Sequence, residues 1–302
     1  MKKLKNNSLM IIVFIFLIGF IIYGIYEYDM SYSFMTQNYY SIKNKCEQQI
    51  IESNNRYSFC EDFDKEQPPV KLDALNLSFY VINYTSFSLL LPFIPLLIIA
   101  MGIRKLYKEM KSGIFRNIIL IKGYHYYIIQ SVKQVVKYSL FIPVIIIIIF
   151  ILSLLYTKSL DYTSSLNLNM NYMDAKYFHN IELFLSNYLI VLILNAIFWL
   201  NLGLIVLKKS RNYVISIVFS YILYLGYSII AEILSGFIFP NIPILNSINL
   251  YNYMKPGNIW GYDGINSLMS MLFYSIILVL ISSVVVFFKY RKKESVIIAN
   301  EV

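Results

Sequence analysis

Charged residues are scarce in this chain of 302 residues. Asp, Glu, Lys and Arg together make up 14% of the sequence, whereas a soluble domain carries about 25%. Apolar residues make up 58% of the chain. This composition excludes an ordinary soluble globular protein and indicates a chain that places much of its apolar surface in lipid.

Residue patterns that support catalysis or metal binding are also missing. The chain has only two histidines, His125 and His179, and they lie in segments that we expect on opposite sides of a membrane. The sequence contains no G-x-x-x-x-G-K-[ST] P-loop, no G-x-S-x-G elbow and no H-E-x-x-H motif. We therefore expect no enzyme activity, no metal site and no cofactor on this chain.

Six apolar runs are each long enough to cross a hydrocarbon core of about 30 Å, which takes about 20 residues. Because lipid offers no partner to backbone N–H and C=O groups, all six should be helices, and Pro92, Pro95 and Pro143 should kink two of them. The sequence thus predicts an all-α polytopic membrane protein, with residues 1–302 forming a single transmembrane domain. The predicted spans are 8–28, 82–103, 136–156, 185–207, 213–238 and 268–288.

Basic residues are concentrated in four of the segments that flank these spans. These segments are the N-terminal tail, 104–137, the turn at 208–211 and the C-terminal tail, and they hold 18 of the 26 Lys and Arg residues. Because basic residues next to spans stay in the cytoplasm, both chain ends should be cytoplasmic. The net charge of +9 is then a topology signal and requires no nucleic-acid partner. The richness in Ile, Asn, Lys and Tyr suggests a bacterial source, so we expect the chain in the cell membrane of a bacterium.

The longest outer segment, 29–81, is polar, is rich in Asp and Glu, and holds the only two cysteines, Cys46 and Cys60. A disulfide between them would close a loop of about 15 residues and stabilise it by about 3 kcal/mol. The alternative is two free thiols in a flexible loop. The other outer segment, 239–267, is apolar enough to dip into the membrane interface as short helices, although a folded surface loop is the alternative.

The inner segment 104–137 is long enough to form structure of its own. Residues 104–111 should continue the second span as a basic helix that Gly113 ends, since Gly is common just past a helix C-terminus. A short helix, 114–122, should follow and break at Gly123. This helix is too apolar for water and too short to cross a bilayer, so it should lie on a protein surface or at the membrane interface.

Apolar residues of this short helix fall on one predicted stripe. Ile114, Ile118 and Ile121 recur at helical spacing, with Phe115 and Ile119 beside them, and Arg116 is predicted to point the other way.

The order of residues in this loop resembles that of ABC-2 type (type V exporter) permease subunits. The resemblance rests on Glu109, Gly113, the run Ile118-Ile119-Leu120, Gly123 and Lys133. The chain departs from the family where Ile114 stands in place of a common Thr and His125 in place of a common Arg.

The resemblance implies a membrane subunit of an exporter that moves a hydrophobic or amphipathic substrate, such as a peptide, an antibiotic or a lipid-like molecule, by alternating access. Residues 104–135 would form the coupling loop, and ATP and Mg would be held by a separate ATP-binding subunit. A second permease chain, identical or related, would complete the pore. The implied ATPase contacts are Glu109, Gly113, Ile114, Phe115, Arg116, Asn117, Ile118 and Ile121.

Three polar residues inside the apolar runs are candidates for a substrate path. Asn195 and Asn201 interrupt the fourth span, where the alternative role is hydrogen bonding between helices. Glu232 is the only acid well inside a run, but its distance of roughly 31 Å from Arg211 along a helix places it near the outer boundary.

Two other classes of function fit part of the sequence. A membrane sensor or accessory protein would bind a ligand through the outer segment 29–81. A membrane enzyme acting on lipid or wall precursors would need a catalytic cluster, which the sequence lacks.

Overall fold

The computed structural model describes residues 2–53, 60, 63, 68–160, 181–210, 212–234 and 265–291. These residues are almost entirely helical, and no strand occurs among them. A 3₁₀ helix covers Ser86–Phe93. The α-helices are α1 (Lys2–Ser53), α2 (Ala74–Tyr84), α3 (Ile94–Lys111), α4 (Ile114–Lys122), α5 (Tyr124–Ser139), α6 (Phe141–Thr157), α7 (Ile181–Ser210), α8 (Tyr213–Ile233) and α9 (Ile265–Arg291).

Six of the described helical stretches are long and apolar enough to cross a membrane. This confirms the predicted fold class, an all-α polytopic membrane protein with six spans. The stretches are Ile11–Gln48, Ser86–Lys111, Tyr124–Thr157, Leu185–Ser210, Tyr213–Ile233 and Ser270–Tyr290. The predicted segment 239–267 lies outside the described residues, apart from the start of α9.

The first helix is much longer than the span predicted at 8–28. Helix α1 has 52 residues and measures about 78 Å, more than twice the thickness of a hydrocarbon core. The reason is local: hydropathy falls after Tyr28, but no Gly or Pro follows before Ser53 to end the helix. The predicted outer segment 29–81 therefore begins as a continuation of the first span.

The prolines interrupt the second and third spans as expected. Pro92 lies in the 3₁₀ helix, and α3 starts next to it with Pro95 in its first turn. The hydroxyl of Tyr221 on α8 donates to the carbonyl of Pro92 at 3.0 Å, so a neighbouring helix satisfies this carbonyl. The third span divides at Leu140 into α5 and α6 because Pro143 has no N–H to donate to the carbonyl of Ser139.

The chain divides into two compact units, and the first comprises 1–89 with 147–175. In this unit the stretch before α2 is pinned to α1. The backbone N–H of Leu72 donates to the buried Tyr28 hydroxyl at 2.7 Å, and the Asp73 side chain caps α2. The carboxylate of Glu27 accepts from the Ser86 backbone N–H at 2.7 Å, which satisfies a donor at the start of the 3₁₀ helix.

A disulfide joins Cys46, in the last turns of α1, to Cys60. Replacing both cysteines with alanine is expected to lower the free energy of local unfolding by about 3 kcal/mol, because the bridge restricts a loop of about 15 residues in the unfolded chain. Hydrogen exchange of the amides between Tyr39 and Ser53 measures this change, and reduction of the native chain provides a matched comparison. Unchanged exchange in both samples would contradict the expectation.

The second unit comprises 90–146 with 176–302, and helix α7 lies at its centre. Helix α7 packs against α3, α5, α8 and α9. A Cβ atom on Gly203 would lie 2.9 Å from Ile103 Cγ2 and 3.0 Å from Ile99 Cγ2, so glycine allows α3 and α7 to approach closely. Trp199 and Leu200 on the same helix are buried.

Candidate functional site

The short helix α4 begins and ends at the predicted residues, Ile114 and Lys122. Two glycines in left-handed backbone conformations bound it, with φ of 68° at Gly113 and 83° at Gly123. No described side chain caps its N-terminus, and the backbone N–H of Gly123 closes its C-terminus on the carbonyl of Ile119 at 3.0 Å. Its position therefore depends on these two backbone turns and on its packing against α3 and α5.

One face of α4 is apolar and exposed. Leu120 is 78% exposed, Ile121 is 81% exposed and Ile114 is 51% exposed, and Asn117 lies between them on the same face. Only Ile119 among the described side chains of the helix is buried. The exposed face, defined here as Ile114, Asn117, Leu120 and Ile121, offers apolar surface that nothing within the described part of the chain covers.

The residues used to predict the orientation of this helix differ in burial. Ile114 and Ile121 of the predicted stripe are exposed, whereas Ile118 of the same stripe and Arg116, predicted to point the other way, are half-buried. Leu120 was not among the predicted contact residues because it lies 100° from Ile121 around the helix and outside the stripe. The side chain of Phe115 lies outside the described residues.

The predicted contact residue Glu109 lies in the last turn of α3, just before this helix. Its Oε1 is 3.6 Å from Nζ of Lys105, one turn earlier on the same helix. Glu109 is the only acid in the segment 104–137, which contains eight basic residues. The Lys105 partner balances its charge, so the basic residues of the segment 104–137 outweigh its single acid.

The two glycines that bound α4 differ in which other residues their backbone conformations allow. Gly123 has φ 83° and ψ 158°, a region that is essentially restricted to glycine, whereas Gly113, at φ 68° and ψ −2°, lies where asparagine is also found. We expect Gly123→Ala to cost about 1–3 kcal/mol and Gly113→Asn to cost much less. Thermal unfolding in detergent measures both.

An added Cβ at either glycine would meet nothing within 4 Å, so this comparison isolates backbone strain. Equal stability losses in Gly123→Ala and Gly113→Asn would contradict it.

The polar residues within the spans have different surroundings. The Nδ2 of Asn201 donates to the hydroxyls of Ser282 at 3.0 Å and Ser283 at 3.1 Å, both on α9. Asn201 therefore holds α7 to α9, which is the structural alternative to a substrate path.

Asn195 lies about 9 Å farther along α7, on the side away from Ser210, and is 1% exposed. Among the described residues, neither atom of its amide has a hydrogen-bond partner, and the indole N–H of Trp199, one turn along, has none there either. Buried polar groups are normally paired, so Asn195 stays a candidate for contact with a substrate.

Glu232 is exposed near the end of α8, next to Ile233. It lies about 29 Å along that helix from its start at Tyr213. The structure thus places Asn195 and Asn201 on different faces of one helix and Glu232 near the end of another. The three do not form one site.

Comparison with protein-family models, with curated proteins and with solved structures found no match.

Proposed function

We propose that this chain is the membrane subunit of an ATP-driven exporter of the ABC-2 class, located in the cell membrane with both ends in the cytoplasm. The exposed face of α4 carries the proposal. Leu120 and Ile121 are among the most exposed large apolar side chains of the described residues. They lie on a short helix between two spans, and a partner that covers this face would bury apolar surface worth about 25 cal/mol per Å².

The position of α4 suits the transmission of motion. Gly113 joins it to α3, which belongs to the second span, and Gly123 joins it to α5, which leads into the third. A push on α4 by an attached ATPase would reach both spans, as alternating access requires. The basic residues around this helix support a cytoplasmic location.

The remaining parts of the proposal follow from the family resemblance. ATP and Mg would be bound by the separate ATP-binding subunit, and a second permease chain, identical or related, would complete the transport path. The substrate would be a hydrophobic or amphipathic molecule, and the surrounding membrane lipid would be a further partner.

Purification of the tagged full-length chain in a mild detergent tests this function. We expect a chain with a P-loop to co-purify and the complex to hydrolyse ATP. The matched sample carries a Lys→Ala substitution in the P-loop of the captured chain, which should keep the complex together and remove hydrolysis. Repeated purification without any ATP-binding chain would refute the proposal.

A sensor that binds a ligand outside the membrane is a second candidate, favoured by the disulfide at the end of α1. It predicts that replacing residues 54–67 with a Gly-Ser linker, together with Cys46→Ala, abolishes function. The replacement ends before Leu72 and Asp73 because these residues anchor and cap the start of α2. The exporter proposal predicts that ATPase binding survives this replacement.

A further inference from the structure

A cavity of about 400 Å³ lies inside the second compact unit, between α3, α5, α7 and α9. Its volume falls near the lower end of the range for small-molecule sites, roughly 300–1,000 Å³. Its walls include Leu106, Val136, Ile197, Phe287 and Tyr290. The cavity therefore has room for a ligand the size of one hydrocarbon chain.

The wall of this cavity is mainly apolar. The polar groups in it that form hydrogen bonds form them with other atoms of the protein. The amide of Asn201 donates to Ser282 and Ser283, and Ser131 Oγ donates to the backbone carbonyl of Tyr127 at 3.0 Å. The hydroxyl of Tyr290 donates to the carbonyl of Leu204 at 2.9 Å. The wall thus offers mainly hydrocarbon contact, which selects an apolar occupant.

One side of the cavity is formed by exposed apolar side chains. Val136 is 48% exposed and Phe287 is 56% exposed, and both lie inside predicted spans, 136–156 and 268–288. Such residues face hydrocarbon rather than water. An occupant can therefore enter sideways from the membrane.

Positive charge lies at one end of the cavity. The Nζ of Lys208 is 5.1 Å from the ring centroid of Tyr290, which lines the cavity, and Lys289 precedes Tyr290 in the chain and is exposed. Glu109, one turn beyond Leu106 on a lining helix, is paired with Lys105. The charge at this end therefore favours an anion.

We propose that this cavity binds the hydrocarbon chain of a single-chain anionic amphiphile drawn from the membrane, with the head group held by Lys208 and Lys289. The volume admits one chain, the wall selects hydrocarbon, and the two lysines select the charge of the head group. The binding is a property of this chain alone. The export of the bound amphiphile rests on the proposed function.

Photolabelling of the purified full-length chain in lipid nanodiscs tests this site. The probe is a long-chain fatty acid that carries a diazirine near its methyl end. We expect labelled peptides from α5, α7 and α9, about tenfold less labelling in Ile197→Trp, which fills the cavity, and about tenfold weaker binding in the Lys208→Ala, Lys289→Ala double variant.

Ile190→Trp is the matched control for the filled variant. Ile190 lies on α7 like Ile197 but is 45% exposed and does not line the cavity, so this variant should label like the native chain. Ile197→Ala, which enlarges the cavity, should retain labelling. It shows whether a substitution at position 197 by itself disrupts folding and labelling.

Three results would overturn the proposal. The first is undiminished labelling of Ile197→Trp. The second is equal labelling by a long-chain alcohol with the same diazirine, because the head group would then have no role. The third is displacement of the probe by an anionic two-chain phospholipid as readily as by an unlabelled fatty acid. If the probe labels the chain but no ATPase co-purifies, the proposed export function is refuted and the binding site is not. If an ATPase co-purifies but the probe does not label the chain, the binding site is refuted and the export function is not.

Discussion

Replacing Ile121 with aspartate is expected to abolish co-purification of the ATP-binding subunit while leaving the chain folded. Ile121 is 81% exposed, so the charge enters solvent in the free chain and costs little stability. In the complex the same charge would be buried against apolar surface without a partner, which costs several kcal/mol. The measurement is bound ATPase activity per mole of purified chain.

Two control variants separate charge from loss of apolar contact. Ile121→Met keeps an apolar side chain of similar size and should retain the ATPase. Ser112→Asp adds the same charge just before the helix, at an exposed position off the apolar face, and should also retain it. Loss of the ATPase in all three variants, or in none, would contradict docking through the exposed face of α4.

The two asparagines of α7 should respond in opposite directions to the same substitution. Asn195→Leu removes a buried amide that has no hydrogen-bond partner in the part of the chain that the structure describes, so we expect the free energy of unfolding to rise by about 1–3 kcal/mol. Asn201→Leu removes two hydrogen bonds to α9, so we expect a loss of about 1 kcal/mol. Unfolding in mixed detergent micelles measures both.

Transport activity adds a second measurement for this pair. A more stable Asn195→Leu protein with reduced export would place Asn195 on the substrate path, since stability alone would not lower activity. If Asn195→Leu loses stability as Asn201→Leu does, the Asn195 amide has a structural partner and the expected contrast is wrong.

The number and type of the spans could be predicted from sequence because lipid imposes both length and helical structure. The end of the first helix could not be predicted from sequence, because hydropathy indicates where the lipid-embedded part ends and not where the helical backbone ends. Helix α1 continues to Ser53 because no glycine or proline stops it. The ends of α4 were predictable because Gly113 and Gly123 adopt the left-handed conformations that favour glycine.

The surroundings of individual side chains depended on tertiary packing. In α4 two adjoining arcs are apolar, and the sequence cannot tell which one the bundle covers; the structure buries Ile119 and exposes Leu120 and Ile121. Likewise, Asn201 and Ser282 are 81 residues apart, and only the packing of α7 on α9 brings them together. The pairing of Cys46 with Cys60 was a simple choice because the chain has no other cysteine.

Photocrosslinking from position 121 in intact membranes tests the central claim most directly. A photoreactive amino acid replaces Ile121 in the full-length chain, and the same amino acid at Ile190, an exposed residue of a span, serves as the control. The account predicts that position 121 captures a protein with a P-loop that binds ATP, and that position 190 does not. Cross-links from position 121 only to lipid, or to proteins that do not bind ATP, would contradict it.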